Sequence, residues 1–398
     1  MREMKDSGIE WIGAMPLAWK MNTIAQIFLQ VKCKNTGLQE KNLLSLSYGK
    51  VKRKSIDTVE GLLPESFDGY NIIEKDDIVL RLTDLQNDHT SLRVGLAEER
   101  GIITSAYLTI RNRSNFCPKY LYYYLHSFDI AKGFYGMGAG VRQGLNWDGV
   151  KWLKILAPSV PEQERIAAFL DAECAEIDAV LEKTRASIEE YKKLKQAVIT
   201  QAVTKGIRGD RPMKDSGIEW IGKIPAEWDY TKAKNCVNIQ NGSDPKTEGS
   251  IPVSGSGASS FKTCGEYKEG PSVLIGRKGA TLHIPHYIST KFWNVDTAFN
   301  VYAKPNFDLK FYFYCACSFD YRFYISQTTL PSMTQTAYEN MFLPLPSNDE
   351  QRAIASYLDN RCEEIDALIW KKQECLVEIE NYKKSLIYEY VTGKKEVV

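Results

Sequence analysis

No stretch of this 398-residue chain approaches the roughly 18 consecutive apolar residues that a membrane-spanning helix needs. The opening MREMKDSGIE is polar, so no signal peptide is expected and the reading is a cytoplasmic protein with no membrane contact. Cysteine is sparse and scattered: nine residues, the closest pair being Cys315-Ala-Cys317, with no C-x-x-C. That excludes a disulfide framework and a zinc site. His283-Ile-Pro-His286 reads as structural, and no metal is assigned. Charge of one sign is lacking too. The net charge of +1 argues against a free-standing nucleic-acid binder, though not against one whose charge is segregated by face or supplied by partner subunits. Catalytic motifs are missing as well. There is no Pro-Pro, hence no Asn/Asp-Pro-Pro-aromatic motif, and no G-x-S-x-G or H-E-x-x-H. Gly136, Gly138 and Gly140 precede a polar loop rather than opening a helix. Gly217-x-x-x-x-Gly222-Lys223 looks like a phosphate loop, but Ile224 stands where magnesium binding needs Ser or Thr.

What the chain does have is repetition. MKDSGIEWIG occurs at Met4–Gly13 and again at Met213–Gly222, 209 positions later, and Pro16 and Trp19 recur as Pro225 and Trp228. A second repeat runs at an offset of 188. It matches Glu162-Gln163, Ile166-Ala167, Leu170-Asp171, Cys174 and Glu176-Ile-Asp-Ala179 to Glu350-Gln351, Ile354-Ala355, Leu358-Asp359, Cys362 and Glu364-Ile-Asp-Ala367. The organisation is head, variable middle and tail, twice over, with the second middle 21 residues shorter. In the head, Asp-Ser-Gly suggests a turn. Its Ile, Trp and Ile suggest an apolar anchor, either within each half or against a partner.

The tails read as helices. Leu170, Cys174, Ile177, Leu181, Thr184, Ile188, Tyr191, Lys195, Val198 and Ala202 alternate steps of four and three, as do Leu358, Cys362, Ile365, Ile369, Lys372, Leu376, Ile379, Lys383, Leu386 and Tyr390. A period of 3.5 without internal Gly or Pro predicts a coiled coil. Glu162–Glu182 holds seven acids and one base, whereas Lys183–Lys205 holds six bases and two acids, and the second tail is biased likewise. Antiparallel pairing sets acidic halves against basic ones, so one intramolecular antiparallel coiled coil is predicted.

Each middle reads as a mixed α/β unit. Strands are expected at Asp77–Leu82 and Ile102–Ile110, with an aromatic helix from Lys119 reaching Ser127-Phe128-Asp129. The second middle echoes this at Ser272–Gly276, Val295–Val301 and Phe311–Tyr314 reaching Ser318-Phe319-Asp320. The polar loops between them are candidates for reading a ligand. In the first half these are Arg81, Asp84, Gln86, Asn87, Asp88-His89, Arg93, Arg142 and Gln143. In the second they are Ser254, Arg277, Lys278, Thr281, Ser332 and Gln335. Arg, Lys, Gln and Asn reach base edges, and Gly admits phosphate. A Gly-Arg-Lys-Gly turn is more often an ordinary solvated turn.

Together the MKDSGIEWIG…Pro…Trp heads, the Glu-Gln…Ile-Ala…Leu-Asp…Ile-Asp helix starts and the Val391-Thr-Gly-Lys394 ending resemble the specificity subunit of type I restriction–modification enzymes over the whole length. Val203-Thr-Lys-Gly206 departs slightly from that ending. The resemblance implies an α+β fold with two target-recognition domains, at 1–160 and 209–346, separated by two long helices, at 161–208 and 347–398, and related by a pseudo-twofold internal repeat. It implies a non-catalytic chain that binds a bipartite, asymmetric site on double-stranded DNA, one half per domain. Two modification subunits would carry S-adenosylmethionine and methylate adenine, and restriction subunits would use ATP and Mg2+. No cofactor is expected on this chain. Two rivals remain open: a self-contained methyltransferase or endonuclease, and a coiled-coil adaptor that never touches DNA.

Overall fold

The computed structural model describes residues 2–55, 66–88, 90–137, 144–257, 259–321, 324–325 and 331–397. The chain divides into two compact units, one of residues 1–183 with 375–398 and the other of residues 184–374. Two helices dominate, Val160–Lys205 and Asn348–Val391, each uninterrupted by Gly. Each helix contributes one half to either unit.

In the first unit the head forms an antiparallel hairpin, Met4–Asp6 against Ala14–Pro16. The Asp6 carboxylate accepts the Gly8 N–H at 3.0 Å and Ser7 N–H reaches Gly13 O at 2.9 Å, which makes the expected Asp-Ser-Gly turn. A four-stranded antiparallel sheet follows in the order Phe28–Gln30, Leu108–Asn112, Ile78–Leu80, Val94–Leu96. Ile78, Val79 and Leu80 have no exposed surface, as an apolar β-branched run in an inner strand requires. The run Ile102–Ile110 is two strands rather than one. Thr104 Oγ1 accepts the Ala106 N–H at 3.3 Å, and this turn sends Gly101–Ile103 to pair with Asn71–Ile73 while Leu108–Asn112 enters the main sheet. The aromatic helix is Pro118–Ile130, opened by proline at its first position, where a missing N–H costs nothing.

The second unit repeats the plan. Met213–Asp215 pairs with Lys223–Pro225. The main sheet runs Val237–Asn241, Ala298–Ala303, Ser272–Gly276, His286–Ile288, again antiparallel throughout. Asp308 caps the Leu309–Ala316 helix through the Phe311 N–H at 2.8 Å. The accessory strands differ between the units. The first has the Leu44–Ser47/Lys50–Arg53 hairpin, and the second has a mixed sheet of Lys262–Cys264, Ile251–Ser254 and Trp293–Asn294.

Inside each unit the helix halves run antiparallel. In the first, Asp178 meets Lys383 at 2.6 Å and the Phe169 and Tyr390 rings lie 4.5 Å apart. In the second, Lys195 meets Asp366 at 2.6 Å and Lys372 sits over the Tyr191 ring at 5.7 Å. Acidic halves thus face basic halves, as their charge predicts. None of the twenty predicted seam positions is exposed.

Candidate nucleic-acid interface

The repeated residues build the frame on which the loops sit. Glu162 accepts the indole N–H of Trp19 at 3.1 Å and pairs with Arg2 at 2.6 Å, while Glu350 does the same with Trp228 at 2.8 Å and Arg211 at 2.6 Å. Gln163 accepts the Cys117 N–H at 2.9 Å and donates to Pro158 O at 2.9 Å; Gln351 accepts the Asp308 N–H at 2.8 Å and donates to Pro346 O at 2.9 Å. These amides are buried, and their bonds fix the start of each aromatic helix on the start of each long helix. Asp171 accepts the Tyr123 hydroxyl at 2.9 Å and pairs with Lys119, and Asp359 accepts the Tyr314 hydroxyl at 2.8 Å and pairs with Lys310. Burial above all pushes both phenols well above their ordinary range, and the two carboxylates add to it.

The helix ends are matched in the same way. Gly393 lies at φ +73° against Pro16 and Trp19, and Gly206 at φ +74° against Arg211 and Trp228, so a Cβ at either position would collide. The extra Lys205 before Gly206 therefore leaves a glycine cap in both halves. The head tryptophans pack inside their own units. Trp11 lies 5.4 Å from Tyr124, 5.3 Å from Phe128 and 6.3 Å from Tyr388, and Trp220 lies 5.4 Å from Phe319. Of the two readings left open for the head, these contacts are core packing.

From that frame each unit presents one polar loop cluster at the end of its main sheet. In the first, Leu145 N–H donates to Leu82 O at 2.8 Å, which brings the segment after residue 143 onto the loop that follows Ile78–Leu80. Thr83, Asp84, Asn87 and Gly144 line a depression of about 620 Å³. Arg81 and Asp84 are half-buried and Gln86 and Asn87 exposed. Arg81 pairs with Asp88 at 3.4 Å. The Asp88 carboxyl is held far below its ordinary range, chiefly by the Ser91 N–H. In the second unit Met333 N–H donates to Arg277 O at 2.9 Å and Gly279 N–H to Pro331 O at 3.0 Å. Arg277, Lys278, Ser332 and Gln335 thereby converge on a depression of about 300 Å³. Arg277 lies over the Phe299 ring at 5.8 Å, and Lys278 approaches Asp296 at 3.8 Å. Thr281 is exposed and donates to Ser256 O at 3.0 Å.

Two predicted contacts are corrected. Arg93 has no exposed surface, because its guanidinium is spent on loop carbonyls inside the unit. Ser254 is buried, at 8% exposure, in the Ile251–Ser254 strand, where its carbonyl accepts the Val295 N–H at 3.1 Å. Arg142, Gln143, His89, Gly138 and Gly140 lie outside the described residues. Asn241 lines the second depression and escaped the sequence reading, although the Asn241-Gly242 dipeptide is a turn signal. Among the described residues no three His, Cys, Asp or Glu side chains are grouped to hold a metal, and no helix is long and apolar enough to cross a membrane.

The chain is thus a duplicated frame carrying two unlike loop clusters. Residues 225–376 match the family described as the type I restriction modification DNA specificity domain. Over 97% of its length the chain is 23% identical to the putative type I restriction enzyme MjaX specificity subunit of Methanocaldococcus jannaschii, covering 96% of that protein. A 90-residue stretch, 23% of the chain and 20% of the relative, is 32% identical to the type I restriction enzyme MjaVIII specificity subunit of the same organism. Among solved structures, a chain from a study of complex assembly and conformational transition of the type I R-M system superposes with a TM-score of 0.73 at 16% identity, covering 96% of this chain and 99% of that one. The HsdS subunit from Thermoanaerobacter tengcongensis superposes at 0.53 with 16% identity, over 98% and 100%. The resemblance read from the repeats is borne out at the level of family and fold.

Proposed function

We propose that this chain is the DNA-specificity subunit of a type I restriction–modification complex, and that each unit reads one half of a bipartite, asymmetric site. The carrying observation is the contrast between frame and loops. Trp19–Glu162, Gln163–Cys117 and Asp171–Tyr123 recur as Trp228–Glu350, Gln351–Asp308 and Asp359–Tyr314, whereas the loops at 81–88 and 277–282 share neither sequence nor bonding. A frame held constant beneath divergent polar loops suits two different base sequences read in one geometry. Arg277 and Lys278 supply donors of the kind that reach guanine edges or phosphates, and Asn87 carries an amide suited to adenine, whereas the Gln335 amide donates to Ile239 O at 3.1 Å and Glu339 at 2.8 Å.

The chain acts without catalysis of its own. Two modification subunits dock on it in the cytoplasm, hold S-adenosylmethionine and methylate an adenine in each half-site. Restriction subunits add ATP- and Mg2+-dependent cleavage. The near-neutral net charge of +1 fits a protein whose partners share the clamping of DNA.

Replacing residues 230–345 with those of an unrelated recognition domain tests this reading. Methylation mapping with the modification subunit should show one half-site changed and the other kept. A change in both half-sites would sink the modular reading. Methyl transfer by the isolated chain would establish an enzyme instead, and no bipartite motif at all would establish an adaptor.

A further inference from the structure

Arg93 is the fully buried centre of the first loop cluster, one residue before the Val94–Leu96 strand. A guanidinium has five N–H donors, and here each has an acceptor. Nη1 donates to Arg81 O at 3.0 Å and Thr83 O at 2.8 Å, and Nη2 donates to Asp84 O at 3.3 Å and to Asp88 O. Nε donates to the Tyr135 hydroxyl at 3.0 Å, which itself donates to Asp88 O at 3.1 Å. The Tyr135 ring lies 5.0 Å from the guanidinium carbon. The Arg93 main-chain N–H is fixed in turn by the Asp129 carboxylate at 2.6 Å.

Four carbonyls of one eight-residue loop therefore turn inward onto a single side chain. Asp84 sits among them at φ +57°, a left-handed conformation that a non-glycine residue keeps only when its surroundings enforce it. The opposite side of the same loop, at Thr83, Asp84 and Asn87, lines the depression described above. The second unit has a different solution, holding its loop by main-chain bonds from Gly279 and Met333 and by Thr281 to Ser256.

We propose that Arg93 is the specificity-positioning residue of the first unit, setting the conformation in which the 81–88 loop meets bases while never reaching DNA itself. The inference rests on the functional reading given above. A lysine at this position keeps the charge but offers one nitrogen with three donors, which cannot span four carbonyls. Discrimination at the first half-site depends on the loop's shape and weakens, while the second half-site, with its own bracing, is untouched.

The test uses the full chain assembled with its modification subunits, methylating a randomised DNA pool, with the first half-site assigned by the 230–345 exchange. Arg93→Lys should relax discrimination about tenfold at one or more positions of the first half-site, since a good base contact carries about 1–3 kcal/mol of selectivity. The second half-site should keep its sequence. Tyr135→Phe removes one hydroxyl without emptying the centre and should move the same positions by a smaller factor. It decides the matter if Arg93→Lys fails to assemble. An unchanged motif in folded, assembled variants overturns the proposal, as does a uniform fall in methylation or equal relaxation of both halves. A wild-type complex that marks no bipartite motif overturns the functional reading itself, and the proposal with it.

Discussion

The indole N–H of Trp228 donates to the Glu350 carboxylate at 2.8 Å, and Arg211 holds the other oxygen of that carboxylate at 2.6 Å. Glu350 and the Arg211 side chain are largely buried, so removing the acid leaves the cation with Glu227 alone, at 2.9 Å. Glu350→Ala should cost about 3 kcal/mol, the scale for breaking a buried pair by deleting one partner. Trp228→Phe keeps an aromatic side chain but loses part of the buried indole and one hydrogen bond to a charged group, the bond alone contributing about 1.5–3 kcal/mol. Urea denaturation of both variants checks the ranking, and an equal or inverted cost would show that packing, not the pair, governs the joint.

Lys195 and Asp366 pair at 2.6 Å, with the lysine 30% and the aspartate 55% exposed. Such a pair contributes about 0.2–1 kcal/mol and is screened by salt. Lys195→Glu should therefore destabilise modestly at low salt, and the double exchange with Asp366→Lys should restore most of the loss. A double-mutant cycle with no coupling at low ionic strength would remove charge as a determinant of helix direction in that unit.

His126 and Asp129 stand three residues apart on the Pro118–Ile130 helix and titrate in opposite senses. Burial pushes the His126 imidazole down to about 4 and the Asp129 carboxyl up to about 6. Between about pH 4 and its ordinary value near 6.5, unfolded His126 binds more protons than folded, so its contribution to stability rises with pH. Between its ordinary value near 4 and about pH 6, folded Asp129 binds more protons than unfolded, so its contribution falls with pH. The two slopes oppose each other in the wild type. Asp129→Asn should leave stability rising from pH 4 to 6.5, and His126→Gln should leave it falling from pH 4 to 6. Chemical denaturation across that range reads both signs.

Arg277 and Lys278 are adjacent, yet their surroundings separate their roles. Arg277 is held over Phe299, whereas Lys278 is 43% exposed beside Asp296. In the assembled complex Arg277→Ala should cost about 1–3 kcal/mol of discrimination at one base. Lys278→Ala should weaken binding across all sequences and reduce the salt slope by about one. Titrations against matched and mismatched sites at several salt concentrations distinguish the two.

The frame was legible in the sequence because it is said twice. Identical heads, the 3.5-residue period and the acid-to-base gradient led to two matched halves and antiparallel helices, whereas the convergence of Arg277, Lys278, Ser332 and Gln335 on one depression emerges only in the fold. The role of the Glu-Gln pair was not legible, because the partners of Glu162 and Gln163, Trp19 and Cys117, lie far away in sequence. Arg93 misled for a different reason. An arginine in a polar loop is usually solvated, and only the folded loop reveals four carbonyls turned toward it. The run Ile102–Ile110 read as one strand because Thr104 and Tyr107, which bound its turn, are both strand-favouring residues.

The division of the two long helices carries a consequence for biosynthesis. The unit that holds residues 1–183 is finished by residues 375–398, since Leu386, Ile387 and Val391 complete its core and Gly393 closes on Pro16 and Trp19. The unit of residues 184–374 is continuous in sequence. On the ribosome, where domains ordinarily fold in the order they emerge, the first-translated half must wait for residues 375–398, and the unit of residues 184–374 can close before it. A stop codon placed shortly before Cys375 would therefore spare the second unit and cripple the first, although every loop residue of the first would already have been made.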